Sequence, residues 1–214
     1  MIHLSQVDYW RNVAVELTFQ EQKIEFNTTP SPDEVVAKIN ELLKENYYFS
    51  HFLADGIEVY EDHEEYLTVN VDRIEKLEVI AKTEKGFLND ILLSTEDYLK
   101  RAKPELALLP DGFYSNPSPE VRSSFSQLME GLQWLDEMLS VIDKSNERPS
   151  DWNTCMELSQ SMKAEILNLS EAVDNSDNIL IADIIQYEFI PIFESLETEL
   201  GKTIDTVGTR HDLS

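Results

Sequence analysis

Apolar and polar residues alternate along much of the first 85 residues, with the two-residue period of β-strands. One face of a predicted first strand is formed by Val13, Val15, Leu17 and Phe19. Ile24 and Phe26 continue as a second short strand, and the aromatic stretch at residues 48–54 predicts a third. Asp55-Gly56 then predicts a hairpin, because both residues of such a turn need a positive φ.

A helical pattern interrupts these strands after Ser31. Ser31-Pro32-Asp33-Glu34 supplies an N-cap, a proline in the first turn and acids at the positive end of the helix dipole. The apolar stripe that follows is Val35, Val36, Ile39, Leu42 and Leu43. Residues 62–74 fit a strand and a helix equally well, and residues 77–81 predict a further strand. Residues 1–85 are therefore predicted to be an α+β unit with a small, mainly antiparallel sheet and one or two helices.

The period becomes helical from Gly86 onward. In the first helix of this region, Pro104 is expected to kink or end the helix, and a loop is expected between Pro110 and Pro119. The next helix begins at Ser118 and carries a heptad seam of three repeats. The seam is Val121, Phe125, Leu128, Leu132, Leu135, Leu139 and Ile142.

Two further helices are predicted, the third capped by Ser150-Asp151 and the fourth by Asp177. Short connections between long helices predict an antiparallel bundle of three to four helices over residues 86–214, with a frayed tail at residues 201–214. We expect the two units to pack together through an interface that includes residues 178–193. A single compact domain is the alternative organisation.

The fourth helix holds the candidate site residues Asp183, Tyr187 and Glu188. On a helical wheel Glu188 is flanked by isoleucines, and Pro191 leaves the Tyr187 carbonyl without its usual donor. The pattern therefore predicts a buried polar cluster in which Asp183 or Glu188 has a polar or cationic partner. Such a cluster is a ligand, metal or acid–base site, or a structural network. The structural network is favoured, because ion-pair networks also bury carboxylates.

The charge balance is strongly acidic, with 42 Asp and Glu against 17 Lys and Arg, for a formal net charge of −25. Residues 1–85 hold 18 acidic and 8 basic groups, and residues 86–214 hold 24 and 9, so the excess is spread along the chain. Such a surface repels phosphates and anionic lipid heads, and we expect neither nucleic acid nor a membrane as a partner. Solubility explains the charge most simply, and a basic protein partner is the alternative.

Motifs for common chemistry are missing from the sequence. It has no Gly-x-Ser-x-Gly, no Gly-x-Gly-x-x-Gly and no phosphate loop. A dinuclear metal bundle would need Glu-x-x-His, which is absent, and the four histidines (His3, His51, His63 and His211) lie outside the predicted bundle helices. The acidic stretch 61–65 is expected to be a solvated turn or helix start. We therefore assign no catalytic, cofactor-binding or metal-ligating residue, and we expect no cofactor.

The single cysteine, Cys155, is expected to be a small buried hydrophobic residue rather than a nucleophile. One cysteine cannot form an internal disulfide framework, which fits a reducing compartment. The first residues lack the features of a signal peptide, and no apolar run approaches the length of a membrane span. These features together predict a cytoplasmic protein.

Three functional hypotheses fit this sequence. The leading one is a non-enzymatic interaction or regulatory protein that contacts another protein through its acidic surface and helical bundle. The alternative is a small-molecule binder or enzyme with a pocket around Asp183, Tyr187 and Glu188. The third is a structural homodimer. Four aromatic residues fit either a recognition patch or a sheet face covered by helices, namely Tyr47, Tyr48, Phe49 and Phe52. Trp134 fits either a contact with the sheet or an exposed anchor.

Overall fold

The computed structural model describes residues 14–44 and 47–210. Val13, His3 and His211, which the sequence analysis names, lie outside these ranges. The chain forms two compact units that divide between Glu84 and Lys85. The predicted α+β class is confirmed, with a sheet and two helices followed by a helical region.

The described residues of the N-terminal unit form a five-stranded mixed sheet with two helices. Its strands are β1 (Val15–Phe19), β2 (Gln22–Phe26), β3 (Tyr47–Ala54), β4 (Ile57–Val59) and β5 (Lys76–Thr83), and its helices are α1 (Pro32–Leu43) and α2 (His63–Asn70). The strand order is β2-β1-β5-β3-β4. Only β1 and β5 pair in parallel, and the other neighbours are antiparallel. One core cluster of this unit contains Leu17, Phe52, Leu67 and Leu77.

Local turn and cap chemistry forms as the sequence predicts. Asp55 and Gly56 have φ values of 49° and 85° in the β3–β4 hairpin. Ser31 and Glu34 form a capping box, in which the Glu34 N–H donates to Ser31 Oγ at 3.2 Å and the Ser31 N–H donates to Glu34 Oε2 at 2.8 Å. The ambiguous residues 62–74 contain helix α2, which buries Leu67 on one side.

The C-terminal unit consists of four long helices. They are α3 (Glu84–Tyr114), α4 (Pro119–Lys144), α5 (Asn153–Asp174) and a last helix formed by α6 (Asn178–Ile184), a π-helical segment (Ile185–Phe189) and α7 (Ile190–Val207). All of them contribute to one hydrophobic cluster. The heptad seam of α4 faces this cluster, with Leu132, Leu135, Leu139 and Ile142 each 0% exposed.

Helix α3 is longer than the sequence predicts, because it runs through both Pro104 and Pro110 to Tyr114. An end of the helix at Pro104 is therefore wrong, whereas a kink there stays a prediction, and the expected loop shrinks to residues 115–118. A proline inside a helix costs roughly 3 kcal/mol. Leu106 and Phe113 are buried in the same turns, and their burial offsets this cost.

Two helix ends also differ from expectation. Helix α7 continues to Val207 and buries Ile204, so the predicted fraying from residue 201 is wrong for residues 201–210, and residues 211–214 lie outside the described ranges. Asn89 holds the following segment, because its side chain donates to the Thr209 carbonyl at 3.0 Å and accepts the Thr209 N–H at 2.7 Å. At the start of α5, the N-cap is Trp152 rather than Ser150-Asp151.

Candidate functional site

The π-helical segment lies within the helix that holds the predicted site residues. The Ile190 N–H bonds to the carbonyl of Ile185, five residues earlier, which defines a wider turn than the α-helix has. Pro191 explains why the turn widens here. In a regular α-helix its ring would crowd the Tyr187 carbonyl, to which it cannot donate a hydrogen bond. Turns of this kind occur frequently at functional sites, so this segment is a candidate functional site.

The wider turn changes which side chains face the core. Because the hydrogen bond of this segment spans five residues instead of four, Phe189, five residues after Ile184, lies on the buried side in place of Glu188. Phe189 is 0% exposed, whereas Tyr187 is 65% exposed and Glu188 is exposed as well. The prediction of a buried polar cluster is therefore wrong for Tyr187 and Glu188, because it assumed 3.6 residues per turn throughout.

Asp183 is the one candidate carboxylate that has a specific partner at this site. It is half-buried, and its Oδ1 accepts a hydrogen bond of 2.5 Å from the hydroxyl of Tyr114 at the end of α3. This bond raises the pKa of Tyr114 to about 12, with smaller contributions from burial and from nearby Asp183, Tyr187 and Asp111. Sequence reasoning did not find Tyr114, because the two partners are 69 residues apart and no local pattern connects them.

Exposed apolar side chains lie on the same side of α6 as Asp183. Ile179 and Leu180 precede Asp183 by four and three residues on α6 and so lie on its side of the helix. We call Tyr114, Ile179, Leu180, Asp183 and Tyr187 the tyrosine surface. The exposed fractions of its apolar members are 46% for Tyr114, 64% for Ile179, 42% for Leu180 and 65% for Tyr187. Single exposed apolar side chains are ordinary, whereas several that lie close together are a feature shared by many contact surfaces.

The charged residues in the chain segment that contains Ile179 to Tyr187 are all acidic. Between Lys163 and Lys202 the sequence contains nine Asp and Glu and no Lys, Arg or His. Glu188 is exposed next to Tyr187, and Asp177 caps the start of α6 by accepting the Leu180 N–H at 3.0 Å. The surface thus combines apolar contact area with a field that attracts cations.

The candidate site residues do not line several well-formed concavities of the described residues. Four such concavities have volumes of about 270 to 580 Å³, and Asp183, Tyr187 and Glu188 line none of these four. Over the same ranges, no group of three or more His, Cys, Asp or Glu is placed to hold a metal ion. Cys155 is fully buried, and burial raises the pKa of its thiol to about 12. The geometry therefore suits contact with a surface better than chemistry in a pocket.

Trp134, for which the sequence left two roles open, packs within the helical unit. Its ring lies 5.1 Å from that of Tyr98 on α3, and the residue is half-buried. Tyr98 in turn approaches Gly131 so closely that a Cβ at this position would overlap its hydroxyl. Trp134 therefore contributes to the packing of α3 against α4 rather than to the tyrosine surface.

Together, the fold and this surface define an acidic α+β protein whose helical unit exposes tyrosines around a hydrogen-bonded aspartate. Residues 90–199, just over half of the 214 residues, match the family described as Domain of unknown function (DUF8042), and the chain belongs to this family. No curated protein and no solved structure matches the chain. The matched range contains the whole tyrosine surface and none of the N-terminal unit.

Several described helices are as long as a membrane span. Within residues 14–44 and 47–210, none is both long and apolar enough to cross a bilayer. The last helix comes nearest in sequence to such a span, but Asp183 and Glu188 interrupt its apolar half.

Proposed function

We propose that this protein is a non-enzymatic interaction protein that binds another protein through the tyrosine surface. The observation that carries the proposal is the exposure of Tyr114, Ile179, Leu180 and Tyr187 around a half-buried Asp183. Tyrosine is enriched at protein interfaces because it adds a large contact area while losing few rotamers. The acidic surroundings select a partner with basic residues next to its apolar contact.

The Tyr114–Asp183 hydrogen bond supports this proposal because it prepares the surface for binding. A tyrosine whose hydroxyl is already fixed loses less conformational freedom when a partner packs on its ring. The bond also keeps the carboxylate of Asp183 satisfied when water is displaced by the partner. A protein partner therefore gains apolar contact here while one oxygen of the Asp183 carboxylate keeps its hydrogen-bond donor.

The competing hypothesis, a small-molecule site around Asp183, Tyr187 and Glu188, has less support. A pocket normally covers most of its ligand, whereas Tyr187 is 65% exposed and Glu188 is exposed as well. The cytoplasm remains the proposed location. It suits a chain whose single cysteine is fully buried.

The test is affinity purification from the native cell followed by quantitative mass spectrometry, with three forms of the full chain. These are the unmodified chain, Tyr187→Ala in the tyrosine surface, and Leu167→Ala as a control. Leu167 is 72% exposed on α5 and is not part of the tyrosine surface, so both substitutions remove a solvated side chain. Loss of an interface tyrosine commonly weakens binding by about tenfold or more.

We expect a partner that is recovered with the unmodified chain and with Leu167→Ala but is depleted with Tyr187→Ala. Its binding to the purified chain should weaken when NaCl rises from about 0.05 to about 0.5 M, because salt screens the charge contacts. Equal recovery with all three forms would show that the surface is not the contact. Recovery of no partner, together with thermal stabilisation by a metabolite, would favour the small-molecule hypothesis.

A further inference from the structure

The N-terminal unit contains a groove that is separate from the tyrosine surface. It has a volume of about 550 Å³ and is lined by residues of α1, β3 and the start of α2. The apolar side chains that line it are Val36, Ile39, Phe49, Phe52 and Leu67. Phe52, Ile39 and Leu67 are buried beneath the opening, whereas Phe49 is 37% exposed. This depth and volume suit one or two large apolar side chains.

The groove is shaped by aromatic packing around His63. The imidazole Nε2 donates to the Val59 carbonyl at 2.9 Å, because a carbonyl can only accept. The same ring lies edge-on to Phe49, with centroids 4.9 Å apart, and to Phe52, with centroids 5.3 Å apart. These contacts hold the first turn of α2 against β3, so the groove does not depend on a ligand for its shape.

The other lining residues place negative charge at the edge of the groove. They are Asn40, Asp62, Glu64 and Glu65, and no Lys or Arg of residues 14–44 and 47–210 lines the groove. Residues 58–65 contain five acidic residues and no Lys or Arg. The Asp62 side chain makes no cap hydrogen bond to α2, so its carboxylate is not used by the helix. An anionic ligand is disfavoured at this edge, and a cationic one is favoured.

The carboxylates at the edge of the groove do not converge on one point, so a single metal ion is not the expected cation. Among the described residues, no set of three or more His, Cys, Asp or Glu is arranged to hold a metal ion. Separate carboxylates along the edge of an apolar groove instead match several cations spaced along an extended segment. The net charge of −25 also works against a second copy of this chain as the occupant.

We infer that this groove binds a short basic segment of another protein, which inserts one large apolar side chain among Val36, Phe49 and Leu67. Lysine or arginine residues on either side of the inserted side chain then pair with Asp62, Glu64 and Glu65 at the edge. This interaction is independent of the tyrosine surface, since it uses residues of the other unit. Its specificity requires both features, because apolar depth alone or charge alone is common on protein surfaces.

The probe is a synthetic peptide with a single tryptophan flanked on both sides by lysines, labelled with fluorescein. Binding to the full chain is followed by fluorescence anisotropy, and the contact is located by ¹⁵N chemical-shift changes. We expect shifts at the residues that line the groove, and affinity that falls as NaCl is raised. A matched peptide with alanine in place of tryptophan should bind about tenfold more weakly, because it loses the inserted side chain.

Three variants test the site from the side of the protein. Asn40→Phe fills the groove from an exposed position on α1 and should weaken binding about tenfold. The double change Glu64→Gln and Glu65→Gln should weaken binding about fivefold at low salt. Its control is Glu21→Gln with Glu25→Gln, which alters the net charge equally at exposed positions outside the groove and should leave binding unchanged. Circular dichroism checks that each variant is folded.

The outcomes separate this inference from the function proposed above. Peptide binding that Tyr187→Ala leaves intact and Asn40→Phe weakens supports a distinct groove site. Equal binding of the tryptophan and alanine peptides, or an equal effect of the two glutamate pairs, would reduce the interaction to general charge attraction and overturn the inference. Absence of binding to the folded chain, or assembly of the chain into dimers that Asn40→Phe abolishes, would overturn it as well.

Discussion

Replacing Glu96 with Gln should remove the charge that holds the C-terminal end of the helical unit in place. Glu96 lies on α3 and is only 7% exposed. Its two carboxylate oxygens accept hydrogen bonds of 2.8 and 3.0 Å from the Arg210 guanidinium. The Lys100 Nζ lies 2.8 Å from the Oε2 of Glu96. The bonds from Arg210 are the largest of the effects that lower its pKa from 4.5 to about 2.

These values limit the magnitude of the effect. A carboxyl whose pKa falls from 4.5 to about 2 stabilises the folded state by at most about 3 kcal/mol. The side chains of Arg210 and Lys100 are 43% and 49% exposed, so both cations regain water when the carboxylate is removed. Solvent screening reduces the expected loss for Glu96→Gln to about 1 to 2 kcal/mol at pH 7.

The pH dependence has a definite sign. The pKa of Glu96 is lower in the folded than in the unfolded chain, so the stabilisation is complete above the unfolded value of about 4.5. It is lost progressively as the pH falls toward about 2, where the folded carboxyl itself takes up a proton. Because glutamine does not titrate, the free energies of unfolding of the unmodified chain and Glu96→Gln should converge over this window.

The assay is urea unfolding at a series of pH values, followed by tryptophan fluorescence. Trp152 is fully buried in the same unit and reports its unfolding. The control is Asp97→Asn, one residue along α3. Asp97 accepts a 2.9 Å hydrogen bond from Arg101, but both side chains are mostly exposed, at 65% and 71%. An exposed pair of this kind contributes about 0.5 kcal/mol or less.

Two results would refute this reasoning. Equal stability of Glu96→Gln and the unmodified chain at pH 7 would mean that the Arg210 contact contributes nothing to the helical unit. A destabilisation that stays constant as the pH is lowered would mean that packing of the side chain, rather than its charge, is responsible.

Three further predictions concern residues of the helical unit. Gly131→Ala should lower the free energy of unfolding by about 1 to 3 kcal/mol in thermal denaturation, because the new Cβ would meet the ring and hydroxyl of Tyr98. Cys155 should react with Ellman's reagent only after unfolding, since it is fully buried and its pKa is raised to about 12; rapid reaction of the folded chain would contradict this. Spectrophotometric titration should show a tyrosine with a pKa of about 12 that Tyr114→Phe removes, because the bond to Asp183 raises the Tyr114 pKa to this value. The late titration of other tyrosines should persist in this variant, because burial raises the pKa of Tyr98 and a hydrogen bond to Glu58 raises that of Tyr60.

Short-range features of this fold could be predicted from the sequence because neighbouring residues determine them. The Ser31 capping box, the Asp55-Gly56 hairpin and the N-cap at Ser118 each need only three or four consecutive residues, and each forms. The heptad seam of α4 is also local in this sense, since one helix face must be buried whatever covers it. These local signals were sufficient to predict the α+β class and the helical bundle.

Tertiary structure decided the features that carry the functional proposals. Pro104 and Pro110 remain inside α3 because the buried residues around them outweigh a local penalty that the sequence alone presents as a break. Glu188 faces solvent because one wider turn shifts the side chains, and a wheel drawn with a constant period cannot include that shift. The pairs Tyr114–Asp183 and Glu96–Arg210 join residues 69 and 114 positions apart, and only the packing of helices brings such partners together.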